Sequence, residues 1–414
     1  MTLSERLTAL RTGFAPTFWI ANTLELFERL AFYGAKAVLA VFLAKRVGLN
    51  DEAATLTGLF SGLIYSLPII AGVFVDKYGY RRTLMWCFAI FSIGYLLIGM
   101  AGMEWSEEIV AVFGKKTYVV IVLIFTAIGG SLIKPCIVGV VANTSKEGSK
   151  ALGFSIYYSL VNFGGAIGPM LALLVREDWG IEYVLVMSSV TCLLLFFGTM
   201  FFFPEPESQS KDENRTFGKV FADMLLVFSN FRFMLFLIVF SGFWIMFWQI
   251  FYLIPFYSTD VLHFEKFEIL ETVDAWCIIF FSLFMSSVFS NWKPFTAMTT
   301  GLLIASFSWI VIAMLGTTGA VIFAVGLFAM GEGTLAPRFY EYVGSLAPKE
   351  QVGTYMGFAF LPVAIGSFGA GAVADWLRLN YLATNPTMMW YILATIGIVT
   401  SVLIILYNLF LTKK

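Results

Sequence analysis

Long uncharged apolar runs constrain this chain more than any other feature. Residues 193–203, 278–289 and 394–409 belong to stretches of roughly 20 residues that carry almost no charge, which is the length needed to cross a hydrocarbon core. Backbone polar groups cannot stay unpaired in lipid, so each run must be a helix or part of a closed barrel. The runs are too long for barrel strands and do not alternate. The sequence therefore predicts an all-α integral membrane protein that sits in a lipid bilayer.

The overall composition excludes several classes of protein. Only 13% of the 414 residues are charged, too few to cover a soluble protein of this length, and the net charge of −1 argues against a nucleic-acid partner. The four cysteines lie in apolar runs, and His263 is the single histidine, so we expect no metal site and no cofactor. The chain has neither a Gly-x-Ser-x-Gly motif nor a histidine cluster, and we therefore predict that it is not an enzyme.

The apolar runs form two sets of six, separated by the longest polar stretch, residues 204–215. We expect 12 transmembrane helices at residues 17–43, 55–75, 83–101, 118–143, 151–175, 183–203, 231–257, 270–290, 294–314, 318–345, 351–373 and 387–411. The predicted domains are six-helix bundles at 1–203 and 231–414, joined by a linker at 204–230. This layout resembles the major facilitator fold, in which two repeated halves enclose a central site.

Basic residues predict the orientation of the chain. An even number of spans puts both termini on one side, and that side would carry most of the loop lysines and arginines, including Arg81, Arg82 and Lys146. Because positively charged loops stay in the cytoplasm, we expect a multi-pass protein of the cell membrane with cytoplasmic termini and a cytoplasmic linker.

Several predicted spans contain charges, each costing at least about 2.5–3.5 kcal/mol at mid-membrane. Span one has Glu25, Glu28, Arg29 and Lys36, and span four has Lys134. Helical spacing places Glu25, Arg29 and Lys36 on one face, and Lys134 reaches a similar depth. A structural ion-pair network would explain one isolated pair. Charges in both halves, including Glu332 in span ten, favour a transport pathway, in which the carboxylates are the expected proton carriers.

These charges lie in motifs that resemble the proton-dependent oligopeptide transporter (POT) family of the major facilitator superfamily. The matching residues are Glu25, Glu28, Arg29, Tyr33 and Gly34 in span one, Lys134 and Pro135 in span four, Tyr158, Asn162 and Gly164 in span five, Trp244 and Gln249 in span seven, and Glu332 and Pro337 in span ten. The resemblance implies proton coupling by Glu25, Glu28, Arg29, Lys134 and Glu332. It implies substrate binding by Tyr33, Lys36, Lys134, Tyr158, Asn162, Trp244, Gln249 and Glu332.

The loop after span two resembles the cytoplasmic loop motif of the superfamily. Its matching residues are Gly72, Asp76, Gly79 and Arg82. The glycines allow tight turning and close helix approach, and the carboxylate can pair with a basic group or a helix N-terminus. We assign this loop a role in gating and no contact with substrate.

The chain departs from the POT pattern at three positions of the predicted site, one of which is Cys136, where an asparagine often follows the Lys-Pro pair. Lys36 replaces an arginine, and a lysine does not hold a carboxylate in the bidentate way of a guanidinium. Trp248 stands where the family often has a glutamate. The resemblance implies a monomeric proton-coupled symporter of small peptides or related zwitterionic solutes. A proton-driven drug or metabolite antiporter is the alternative, since Gly168 and Pro169 partly match the motif of such antiporters.

Overall fold

Long helices make up nearly all of the computed structural model of this chain, which describes residues 12–206, 217–289, 291–348 and 351–412. We label the long segments α1 to α12. They are α1 Pro16–Val41, α2 Asn50–Ser66 continued by Pro68–Tyr78, α3 Tyr80–Met100, α4 Lys115–Thr144, α5 Glu147–Asp178, α6 Ile181–Phe202, α7 Phe231–Asp260, α8 Phe267–Phe289, α9 Pro294–Leu315, α10 Thr318–Leu346, α11 Thr354–Leu382 and α12 Pro386–Leu411. The predicted cytoplasmic N-terminus up to residue 11 and the middle of the linker, residues 207–216, lie outside the described residues.

The all-α membrane fold that the sequence predicts is confirmed. Within the described residues, nine helices are long and apolar enough to cross a membrane, and α2 is a tenth if its two pieces, bent by 47° at Leu67, count as one span. The helices α1 and α8 have 26 and 23 residues, which is long enough, but each carries at least three charged residues. The charged residues of these two helices therefore need partners or a function inside the membrane.

Packing between the helices divides them into two groups. In the first group α1 lies against α5 and α6, and α3 lies between α4 and α6. In the second, α9 lies between α10 and α12, and α7 contacts α11 and α12. The main contacts between the groups are α2 with α11 and α5 with α8. The residue boundaries of the two predicted halves stay a prediction.

Small residues allow several close helix approaches. A Cβ atom added at Gly168 of α5 would lie 2.8 Å from the carbonyl oxygen of Leu30 in α1. One added at Gly301 of α9 would lie 2.6 Å from the carbonyl oxygen of Gly331 in α10. Real Cβ atoms do not approach oxygen this closely, so these crossings depend on the missing side chain. They fix α1 and α10, which carry much of the candidate site.

The Gly301 crossing gives a direct test of this packing. Gly301→Ala should force α9 and α10 apart and destabilise the protein by roughly 1–3 kcal/mol. We expect a lower apparent Tm for the variant purified in detergent. The control is Gly319→Ala, because a Cβ at Gly319, at the start of α10, has no neighbour within 4 Å. Equal melting temperatures for the two variants would show that the crossing is not tight.

Candidate functional site

A cavity of about 1070 Å³ lies between the two groups of helices. Its wall is formed by α2, α4 and α5 on one side and by α8, α10 and α11 on the other, with Met224 of the linker helix Phe217–Ser229 also contributing. Two of its lining residues are oppositely charged, Lys134 from the first group and Glu332 from the second. Tyr158, Tyr340 and Phe360 are among the aromatic residues of the wall.

Lys134 lies where α4 is interrupted. The helix is interrupted between Ser131 and Ile133, and Pro135, which has no N–H group to donate, follows the lysine. The Lys134 ammonium lies 4.8 Å from the ring centroid of Tyr65 and 4.7 Å from that of Phe360. Tyr65 belongs to α2 and Phe360 to the start of α11, so the cation interacts with aromatic rings from both groups of helices.

Glu332 supplies negative charge on the other wall of the same cavity. In the described part of the chain, its Oε2 atom is buried and has no hydrogen-bond partner. A buried polar atom without a partner is costly, and a ligand that donates a hydrogen bond would remove that cost. Lys134 and Glu332 together make the cavity positive on one wall and negative on the other.

A second cluster of charges lies inside the first group of helices. Glu25, Glu28 and Arg29 of α1 are 0%, 0% and 2% exposed. The Arg29 Nε atom lies 3.3 Å from Glu25 Oε1 and 2.5 Å from Glu28 Oε2. One guanidinium therefore serves two carboxylates, which leaves an excess negative charge. Lys134 acts on both carboxylates electrostatically but lies beyond salt-bridge distance of either.

Lys36, one of the predicted substrate ligands, lies outside the cavity wall. The side chain is 1% exposed, and its ammonium lies 3.6 Å from the ring centroid of Phe251 and 4.0 Å from that of Trp248. The ring of Tyr33, another predicted ligand, is 5.2 Å away. In this conformation, α7 covers Lys36 with aromatic rings, and Lys134 is the cation that faces the cavity.

The other predicted ligands divide between the cavity and the helix packing. Tyr158 lines the cavity and is 53% exposed. Asn162 donates from Nδ2 to the backbone oxygen of Tyr158, one turn earlier in the same helix. Trp244 packs against Gly366 of α11. Only the first of these faces the cavity in this conformation.

The prediction that Gln249 contacts substrate differs from what the structure shows. The side chain is 0% exposed, and its Nε2 atom donates to the backbone oxygens of Ile245 and Ala370, both at 3.1 Å. Because both bonds go to helix backbone, Gln249 ties α7 to α11 and does not reach the cavity.

The predicted gating loop lies at the linker end of the cavity. Gly72 lines the cavity, and Gly79, with φ +81°, forms the turn before α3. The carboxylate of Glu205, which follows α6, accepts hydrogen bonds from the backbone N–H groups of Tyr80 and Arg81, at 2.6 and 2.8 Å. Arg82 is exposed. The loop is thus fixed to the end of α6.

Polar contacts close the cavity at the opposite end. Asp375 of α11 accepts from the backbone N–H groups of Ala54 and Thr55, at 3.2 and 2.7 Å, where α2 begins. Lys45, just after α1, lies 2.6 Å from Asp260 at the end of α7. Each contact joins one group of helices to the other.

Ion pairs between α5 and the start of α8 complete this closure. The guanidinium of Arg176 donates to both carboxylate oxygens of Glu268. Lys266 lies 3.1 Å from Glu177. The closed end is the one remote from the linker, so the cavity is positioned to communicate with the linker side.

The family model described as Major Facilitator Superfamily matches residues 24–371, most of the chain. This chain belongs to the major facilitator superfamily. Among its relatives are Dipeptide and tripeptide permease A of Cronobacter turicensis, 28% identical over 45% of this chain and 36% of that protein, and Dipeptide and tripeptide permease B of Aliivibrio fischeri, 24% identical over 42% and 34%. The chain thus spans about a third of the length of the curated relatives it matches.

Solved structures share the fold of nearly the whole chain. A POT family transporter in complex with 5-aminolevulinic acid covers 96% of both chains, with 17% identity and a TM-score of 0.77. A peptide transporter POT in complex with sulfate covers 94% of this chain and 93% of that one, with 16% identity and a TM-score of 0.75. The major facilitator fold is confirmed, and so is the resemblance to the POT family that the motifs predict.

Two residues close to the site are not predicted from the sequence. Glu205 lies between two prolines in a stretch that has the composition of a linker, and nothing local marks it as a helix cap. Glu271 lies on α8 and is 2% exposed. Its signal is the acidic spacing of Glu268, Glu271 and Asp274, three residues apart and therefore on one helix face.

The Arg29 cluster predicts an unusual pattern of stabilities. Arg29→Gln leaves two buried carboxylates without their cation and should cost about 3–5 kcal/mol. The triple variant Glu25→Gln, Glu28→Gln, Arg29→Gln removes all three charges and should be more stable than the single variant. Apparent Tm values of the purified proteins in detergent give the comparison. An Arg29→Gln protein as stable as the parent chain would contradict this description of the cluster.

Proposed function

We propose that this protein is a proton-coupled symporter of small peptides or related zwitterionic solutes that works by alternating access. The observation that carries the proposal is the placement of Lys134 and Glu332 on opposite walls of one cavity between the two groups of helices. The names of the relatives, which are dipeptide and tripeptide permeases, support the same substrate class.

The chemistry of the cavity suits a zwitterion. A peptide carries a carboxylate and an ammonium group a few bonds apart, and each would meet an opposite charge at Lys134 or Glu332. The aromatic and aliphatic surface between the two charges accepts side chains without specifying them. The volume of about 1070 Å³ leaves room for a small peptide and its water.

The cluster in α1 provides the first part of the proton pathway. Glu25 and Glu28 compete for one guanidinium, so a proton that binds to one of them leaves Arg29 to the other. Either event changes the negative charge that acts on Lys134, which in turn is the cation facing the cavity. Proton binding and substrate binding are thereby linked through one lysine. A membrane potential of 100 mV contributes about 2.3 kcal/mol per proton moved.

The two ends of the cavity support alternating access. The proposed orientation places both termini and the linker in the cytoplasm, in the cell membrane. The conformation described is then inward-facing, with Asp375, Lys45 and Arg176 making the contacts that close the outer end. Opening of that end would require these contacts to break while the linker end closes. We propose that the protein acts as a monomer, needs no cofactor and catalyses no chemical reaction.

Uptake by liposomes that contain the purified protein tests the proposal. With acid outside, we expect accumulation of labelled dialanine. Lys134→Gln and Glu332→Gln should each reduce it by roughly tenfold or more, because each removes a charge that the zwitterion contacts. Lys116→Gln and Glu108→Gln change exposed charges of the same types and serve as controls.

The same preparation separates the two transport functions. Extrusion of a cationic dye in exchange for protons, without dialanine uptake, would overturn the symporter and support the antiporter. Equal loss in the cavity variants and in the control variants would show that the cavity charges have no special role.

A further inference from the structure

A second group of buried acids lies on α8, apart from the α1 cluster. Glu271 is 2% exposed, and neither of its carboxylate oxygens has a hydrogen-bond partner in the described part of the chain. The Oδ1 atom of Asp274, one turn further on, is also buried without a partner. Ile278, the next residue on this face, lines the cavity. The two carboxyl groups therefore lie just above the cavity, on the side of its closed end.

Glu268 is the acid of α8 that has a structural role, and it differs from Glu271 and Asp274 in its partners. It is also fully buried, but its two carboxylate oxygens accept hydrogen bonds from Arg176 of α5. The same helix thus contains one acid held by a guanidinium and two acids without such a partner. Packing of α8 against α5 explains Glu268 and leaves Glu271 and Asp274 unexplained.

The cation that interacts electrostatically with these acids is Lys36 of α1. Its charge acts on both Glu271 and Asp274, yet within the described residues no carboxylate lies within salt-bridge distance of its ammonium group. The ammonium is instead held against the rings of Phe251 and Trp248 of α7, at 3.6 and 4.0 Å from their centroids. Lys36 is thus a buried cation that contacts aromatic rings and forms no ion pair with the described residues of α8.

Each helix packed against this part of α8 contributes an identified group. From α1 comes Lys36, and from α10 comes Glu332, which interacts with both Asp274 and Lys36. From α5 comes Tyr158, and from α8 itself come Glu268 and Cys277. From α7 come the uncharged rings around Lys36. Within this set, Lys36 is the cation that can neutralise Glu271 and Asp274, since Arg176 is already bound to Glu268.

We propose that Glu271 and Asp274 form a second proton-binding site, with Lys36 as the cation that pairs with them when they are ionised. The proposal rests on the proton-coupled transport proposed above and locates a proton carrier in the C-terminal half. It also gives a role to Trp248, which stands where POT sequences often have a glutamate: its ring holds Lys36.

The chemistry of the step is a simple proton transfer. A hydronium ion gives its proton to a carboxylate oxygen, so that one O–H bond breaks, another forms and water leaves. A neutral carboxyl group no longer attracts Lys36, which then rests against the α7 rings, as in this structure. Release of the proton restores the anion and draws the ammonium group from α7 to α8. Because Lys36 belongs to the first group of helices and its two alternative partners to the second, the proton alters a contact between the moving parts.

Infrared difference spectroscopy tests this site without any substrate. The protein in liposomes is taken from alkaline pH to about pH 6, where ordinary carboxyl groups stay ionised. The carbonyl band of the carboxyl groups that become protonated is recorded. Glu271→Gln and Asp274→Asn should each remove part of this band. Glu265→Gln, which changes an exposed acid just before α8, should leave it intact. Loss of the same intensity in the control, or no loss in either α8 variant, would overturn the proposal.

Transport measurements on the same variants separate this site from the proposed function. Exchange of labelled for unlabelled dialanine across the membrane needs no net proton movement and should persist in Glu271→Gln and Asp274→Asn. Accumulation driven by a proton gradient should fall by roughly tenfold or more in both variants. Unchanged accumulation would overturn the second site while leaving the symporter intact. Absence of dialanine exchange in the parent chain, with the carboxyl band present, would instead overturn the peptide symporter.

Discussion

Charge inside a membrane is the constraint on which this structure depends. An ionised side chain in lipid must find an opposite charge, an aromatic face or water, since burial without any of them costs several kcal/mol. Several buried charges here meet this requirement in different ways. Arg29 is held by two carboxylates, Lys36 by aromatic rings, and Lys134 and Glu332 face a cavity. These charged residues lie near the interface between the two groups of helices. Any movement of one group against the other therefore changes their contacts.

Much of this could be predicted because the signals are local in sequence. Apolar runs of about 20 residues define spans wherever they occur. The spacing of Glu25 and Arg29 places both on one helix face, and the pair lies 3.3 Å apart in the structure. Lys134 and Glu332 stand in motifs with a known pattern, and both line the cavity. Their assigned roles in coupling and binding stay predictions, since placement alone does not test them.

What sequence could not supply is the set of contacts between distant helices. Lys36 and Gln249 match residues that contact substrate in the POT pattern, but α7 covers one with rings and the other bonds to the backbone of α11. Both outcomes depend on how α7 packs, and no spacing within a single span reports that. The role of Glu205 could not be predicted for the same reason. It caps α3 from the end of α6, and that contact forms only when the chain folds. The three-residue spacing of Glu271 from Glu268 and Asp274 is a signal in the sequence, but only its burial in the structure distinguishes Glu271 from a surface acid.

Charges from both groups of helices share one cavity that is reached from one side. In a background without the native cysteines, Val138→Cys in α4 and Ala336→Cys in α10 place a thiol on each wall. A membrane-impermeant thiol reagent added to oriented vesicles should label both positions from the linker side and neither from the opposite side. Labelling of only one position, or of neither from the linker side, would contradict the account.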